Sequence, residues 1–206
     1  MIKTLHTYGD SHAAKYGGWL KININDINIK MNHIPGKLMY SFGRDKMQVV
    51  SDVNGGDMVC FCFGEIDCRC HIHKYIPDWK KTIDDMVENY FININENMKN
   101  HKNVITLVFN VVPPLERELP ENLWIEKGNG LPSLGSDLDR KNYTEYMNTK
   151  LLEYCKKYGY VFLDVYDKYV NERGYISLEL SDGNCHIGNP IYVQEFLIKY
   201  LNENEK

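Results

Sequence analysis

The chain has 206 residues, of which 43% are hydrophobic, 12% aromatic and 25% charged, with a net charge of −4. That length and apolar content suit one well-buried domain over residues 1–206 and fall short of two ordinary ones. The mildly acidic balance, without a block of like charge, argues against a phosphate-tracking nucleic-acid binder, and no stretch approaches the roughly 18 apolar residues of a membrane helix.

Residues 1–7 are too short and polar for the apolar core of a signal peptide, so a cytoplasmic chain with six reduced cysteines is expected. Neither an internal repeat nor a Ser/Pro-rich linker interrupts it. Residues 2–8 read as a first strand that ends in Gly9-Asp10-Ser11-His12. Residues 27–34 alternate as a second strand, closed by Pro35-Gly36. The apolar run 58–63, before Gly64, reads as a central buried strand. From Asp78 onward Trp79, Ile83, Met86, Val87, Tyr90, Phe91 and Ile94 recur at helical spacing.

Residues 104–112 form another apolar run, stopped by Pro113-Pro114. The stretch 115–136, with Pro120, Trp124, Gly128, Gly130, Pro132 and Gly135, reads as a long insert, either a lid or binding loop or a surface excursion. A helix follows from Asp139 to Tyr158, with Ser136 or Asp137 as its N-cap and Tyr143, Met147, Leu151, Cys155 and Tyr158 on one face. Residues 160–166 are a fifth strand. The last helix has Asn189 as N-cap and Pro190 at its first position, with Val193, Phe196, Leu197, Tyr200 and Leu201 facing inward. Strands apolar on both faces, separated by helices, imply a parallel sheet of about five strands covered on both sides. The fold class is therefore three-layer α/β, flavodoxin-like, with its site beyond the carboxyl ends of the strands.

The chemistry-bearing residues fall in that place. Ser11 follows the first strand at a tight turn, Gly36 follows the second, and Gly64-Glu65-Ile66-Asp67-Cys68-Arg69 follows the central one. Asp182 and His186 precede the last helix. A serine hydroxyl is a poor nucleophile alone; an imidazole base activates it and an acidic residue orients that base. The chain order Ser…Asp…His is one of several that build this geometry.

These blocks, in this order and across nearly the whole chain, resemble the SGNH or GDSL-type hydrolases. Gly9-Asp10-Ser11 matches the first block, with His12 where many members have Leu. Gly36 fits the second-block glycine, with Gly43 in Phe42-Gly43-Arg44-Asp45 as a rival. Gly64-Glu65-Ile66-Asp67 stands where Gly-x-Asn-Asp belongs, and Asp182-Gly183-Asn184-Cys185-His186 where Asp-x-x-His belongs. The resemblance implies a serine esterase or acyltransferase without a cofactor. Ser11 would be the nucleophile, His186 the base and Asp182 its orienting acid, with the N–H groups of Ser11 and Gly36 holding the oxyanion.

Two departures stand out. Ile66 takes the place of the asparagine that donates to the oxyanion; Arg69 is the candidate replacement, with Asn110 and Arg44 behind it. The last block carries one extra residue between Asp182 and His186. The run Phe63–Arg69 is similar to a subgroup found beside carbohydrate-biosynthesis enzymes in bacteria and large viruses, which favours a short acyl ester on a carbohydrate. An O- or N-acetyltransferase using an acyl donor and the same site is the alternative. A carbohydrate-binding module with a decayed site is the third. The partner expected is thus a small-molecule or carbohydrate ester, with no nucleic acid and no membrane, and oligomeric state stays open.

Plainer roles exist for the same residues. Ser11 could only cap a helix, and His186 could only pack. Glu65, Asp67 and Arg69 could form a salt-bridged turn, and Arg44-Asp45 a structural ion pair. Cys60-x-Cys62 with Cys68-x-Cys70-His71-x-His73 invites zinc. Cys60 and Cys62 lie on an apolar strand, however, where thiols behave as small core hydrophobes, so no metal is expected.

Overall fold

A computed structural model of the chain describes residues 2–24, 27–117 and 132–204. Its sheet has five parallel strands, β1 (Thr4–Gly9), β2 (Asn28–His33), β3 (Met58–Cys62), β4 (Ile105–Phe109) and β5 (Val161–Leu163), in the order β2-β1-β3-β4-β5. This is the flavodoxin-like arrangement, and the order reverses beside β1. The strand after which Ser11 emerges therefore lies at the switch point.

Period-two alternation in the central strand divides the core. Val59, Phe61 and the following Phe63 pack into one cluster, whereas Met58, Cys60 and Cys62 pack into the other. The first cluster is covered by three helices, α1 (Met39–Arg44), α3 (Trp79–Met98) and α4 (Asp137–Tyr158), which bring in Phe42, Tyr90, Phe91, Met147 and Leu151. The second is covered by α6 (Ile191–Asn204), by the short α5 (Tyr166–Tyr169) and by the segment around Trp19. All six cysteines are free and buried, Cys60 and Cys62 among apolar neighbours. The helical stripes face inward as their spacing implies: Ile83, Met86, Val87 and Ile94 of α3 and Val193, Leu197 and Leu201 of α6 are buried.

The structure differs from the sequence-based expectation at the edges of elements. α4 begins two residues early because Ser136 and Asp139 form a reciprocal capping box. β4 stops at Phe109 rather than 112, and β5 at Leu163 rather than 166, because Asn110 clamps their ends. Its carbonyl oxygen accepts from the Val165 N–H at 2.9 Å, and its amide donates to the Val111 carbonyl at 2.9 Å. Residues 39–44, to which the sequence reading assigned no element, and α2 (Glu65–Cys70), read as a turn, are short helices. Most of the 115–136 insert, Trp124 included, lies outside the described residues.

Gly9 closes β1 against β3 at a separation no other residue tolerates. A Cβ at that position would stand 1.9 Å from the Cys62 carbonyl oxygen, which is backbone and cannot swing aside. Gly9→Ala should accordingly destabilise the protein by ~3 kcal/mol, the upper end for overpacking. Chemical denaturation checks it, and an unchanged midpoint would contradict the close approach.

Candidate active site

The turn after β1 is built from local bonds. The Asp10 side chain accepts the His12 backbone N–H at 2.9 Å, and the Ala13 N–H reaches the Asp10 carbonyl at 3.0 Å. Thr7 donates its hydroxyl to the Ala13 carbonyl at 2.6 Å, and the Trp19 indole N–H donates to the His12 carbonyl at 2.6 Å. These contacts leave Ser11 half-buried at the carboxyl edge of the sheet. Its N–H donates to no group among the described residues.

Across the edge, residues 182–186 form a closed loop. The Asp182 N–H donates to the His186 carbonyl at 3.0 Å, Ser181 and Ile187 bridge antiparallel, and Gly183 has φ +83°. This loop absorbs the extra residue of the last block. The His186 ring then donates from Nδ1 to Asp182 at 2.8 Å, and its Nε2 lies 2.8 Å from the Ser11 hydroxyl, which donates to it. Asp182 is held below the ordinary carboxylate range: burial alone would raise it, and the bond and charge of His186 outweigh that. Ser11, His186 and Asp182, 175 residues apart at the extremes of the first contact, are thus one hydrogen-bonded chain.

The other candidates fall elsewhere. Gly36 sits in the turn after β2 with φ +63°, two residues beyond Ile34, whose N–H bonds Gly9 at 2.7 Å; it shares the edge with Ser11. Gly43 does not. It lies within α1 against α3, where a Cβ would meet the Asn89 and Tyr90 backbone at 2.9–3.0 Å, so it is a packing glycine. Asp67 also turns away: its oxygens accept the Met39 and Tyr40 N–H groups at 2.7 and 3.2 Å, tying α2 to α1. Burial pushes its carboxyl up to about 7 against the pull of those donors. Asn110 is the strand clamp already described. Arg44 pairs with Asp45 at 2.7 Å on the surface.

Arg69 was the expected replacement for the missing oxyanion donor, and the structure turns it to another task. Its Nε and Nη2 donate to the two oxygens of Glu65 at 2.6 and 3.1 Å. The one-turn spacing within α2 makes this pairing easy, and burial of Glu65 demands it. Ile66 itself is buried.

His12, noted in the sequence only as a departure from Leu, is a neighbour that motif reading overlooked. It is buried, its ring lies 4.7 Å from that of His186, and Glu65 interacts electrostatically with both imidazoles. Tyr16, half exposed, lies 5.7 Å from His186 on another side. The zinc-like pattern is dispersed: the His71 ring lies tilted against Tyr40 and edge-on to Tyr75, and His73 bonds the Tyr143 hydroxyl. Among the described residues only His12, Cys185 and His186 place three ligand atoms close enough for a metal ion. Both His186 nitrogens there already serve Ser11 and Asp182.

Two outcomes follow from these charges. Arg69→Ala leaves Glu65, with a side chain 8% exposed, as an uncompensated carboxylate, and should lower stability by ~3 kcal/mol, with Glu65→Gln in the same background recovering a good part. An unchanged melting temperature with an ester turnover reduced about a hundredfold would instead return Arg69 to the reaction. For His12, burial lowers the pKa, but Asp10's charge and bond, and then Glu65, raise it further, from 6.5 to about 9. A raised value means that this stabilisation is complete below pH 6.5 and is lost as the pH climbs through about 9. Asp67, raised to about 7, still titrates in the lower part of this window with the same sign, and exposed thiols of the unfolded chain titrate above about 8.5, so the His12 share is the part of the fall between that His12→Gln removes. Melting temperature should fall across that window at constant ionic strength; a flat profile would contradict the buried imidazolium.

No family model and no curated protein matches the chain. Solved structures do. A candidate platelet activating factor from Streptococcus pneumonia is 18% identical over 97% of this chain and 84% of its own, with a TM-score of 0.65. Phospholipase A1 from Streptomyces albidoflavus is 11% identical over 98% and 99%, with a TM-score of 0.64. A GDSL-like lipase from Bacteroides thetaiotaomicron is 16% identical over 99% and 89%, with a TM-score of 0.58. At such identities the likeness is one of fold. The chain has the three-layer α/β fold of the SGNH or GDSL-type hydrolases.

Proposed function

We propose that residues 1–206 form one serine-dependent acyl-transfer domain that hydrolyses esters, removing a short acyl group, acetyl first among them, from a carbohydrate. The observation that carries this reading is the continuous bond chain Ser11–His186–Asp182. Ser11 Oγ attacks the ester carbonyl while its proton passes to His186 Nε2. Asp182 holds Nδ1–H and with it the ring orientation. The tetrahedral oxyanion takes the unengaged Ser11 N–H and, in this reading, that of Gly36. His186 returns the proton to the departing sugar oxygen, and water, activated by the same ring, releases the acid.

The carbohydrate assignment draws on the Phe63–Arg69 resemblance and on Tyr16, whose exposed ring beside His186 offers a sugar a stacking face. With Ile66 in place of a donor, turnover should be slow. Transfer to a sugar acceptor uses the same first half-reaction and differs in what reaches the acyl-enzyme.

Ser11→Ala should abolish p-nitrophenyl acetate cleavage and leave the melting temperature nearly unchanged, since the lost hydroxyl makes one partly exposed bond. Wild-type turnover in that mutant would remove Ser11 as nucleophile. Adding amino-sugar acceptors to the wild-type assay separates hydrolysis from transfer, because acceptor-dependent turnover would favour the acetyltransferase.

A further inference from the structure

We propose that His12 is a positioning residue whose ring, protonated on both nitrogens, ties the loop that carries the nucleophile to the loop that carries the base. The inference rests on the Ser11–His186 reading. Its basis is the pair of atoms that the ring faces. Nδ1 lies 3.0 Å from Asp10 Oδ1 and Nε2 lies 3.0 Å from the Cys185 carbonyl oxygen. A carbonyl only accepts, so Nε2 carries a proton. Asp10 Oδ1 already accepts the His12 backbone N–H at 2.9 Å, which suits a carboxylate and not the hydroxyl of an acid. Nδ1 therefore donates too, and the ring is an imidazolium.

Two consecutive residues on one loop then grip two consecutive residues on the other. Ser11 Oγ bonds the ring of His186, and the His12 ring bonds the carbonyl of Cys185 immediately before it. The second bond fixes the peptide unit that leads into His186, so the imidazole approaches Ser11 from a set direction. Asp182 sets the same ring from within its own loop. Among the described residues the reacting contact is the one other hydrogen bond between residues 10–14 and 182–186.

The charge is tolerated because of what surrounds it. Asp10 faces the ring from the β1 turn, Glu65 from α2 with Arg69 behind it, Cys185 and His186 from the base loop, and Cys62 from the end of β3. A cation beside His186 would oppose the charge that His186 gains on taking the Ser11 proton. Asp10 and Glu65 offset that opposition and, against the burial that lowers it, keep His12 protonated up to about 9.

The test has two arms. In wild-type protein with ¹⁵N-labelled histidine at about pH 7.5, long-range ¹H–¹⁵N spectra should show both His12 nitrogens protonated, where an ordinary histidine is neutral. A neutral His12 tautomer there overturns the proposal. This arm needs no turnover, so its failure is distinct from failure of the Ser11 reading, which an active Ser11→Ala would reveal. In the second arm, His12→Asn keeps a donor near the Nδ1 position toward Asp10 and loses the one toward Cys185, whereas His12→Gln keeps a donor near the Nε2 position. Asn should lower kcat by about ten- to a hundredfold with KM within about twofold, and Gln should restore kcat to within about threefold of wild type. Equal losses in the two variants, or wild-type kcat in His12→Asn, would reduce His12 to a packing residue. Either variant assigns the His12 signals.

Discussion

Asp10 and His12 meet with side chains only 1% and 5% exposed, and in such surroundings neither charge persists without the other. The rest of the edge is arranged around this pair. Asp10 organises the turn that presents Ser11, because the same carboxylate oxygen holds both the backbone and the ring of His12. Glu65 and Arg69 form a second buried pair on α2, so the ground beneath the triad holds two carboxylates and two cations in alternation. In the proposed mechanism His186 rests on a preset and nearly neutral field, and little reorganisation would accompany its change of charge.

Sheet geometry explains why this arrangement sits where it does. β1 lies between β2 and β3, and Gly9 lets its end approach the end of β3 closely enough for the Ser11 turn and α2 to face each other. Asp67 ties α2 to the start of α1, and Asn110 ties β4 to the chain leaving β5. Several polar residues that look like site residues in a motif alignment are therefore the struts of the edge. Their burial makes each bond obligatory, because an unsatisfied buried group is costly.

The fold was readable in the sequence because its signals are periodic. Apolar runs gave the strands, and the stripes of α3, α4 and α6 each cover several turns, enough to outweigh local exceptions. The short helices α1 and α2, six residues each, are too brief to show a period, so Gly43 stood as a rival to Gly36 for the second-block glycine. That Ser11, His186 and Asp182 would meet was legible because motif blocks carry them and few residue types suit such a chain. For Arg69 two roles stayed open in the sequence, a donor to the oxyanion or a partner of Glu65 one turn away; burial, which the sequence does not show, is what brings out the pairing. His12 was hidden because its partner atom is a backbone carbonyl 173 residues away, a contact that leaves no residue-type signature.

That long separation also governs how the protein comes into being on the ribosome. Ser11 and its turn emerge first, yet β1 has no neighbour on its inner side until β3 is made, and the base loop follows only after α4 and β5. Contacts this distant in sequence are in general slow to close. In the proposed reading Ser11 therefore gains its base only once residues 182–186, made after every strand, have joined the edge.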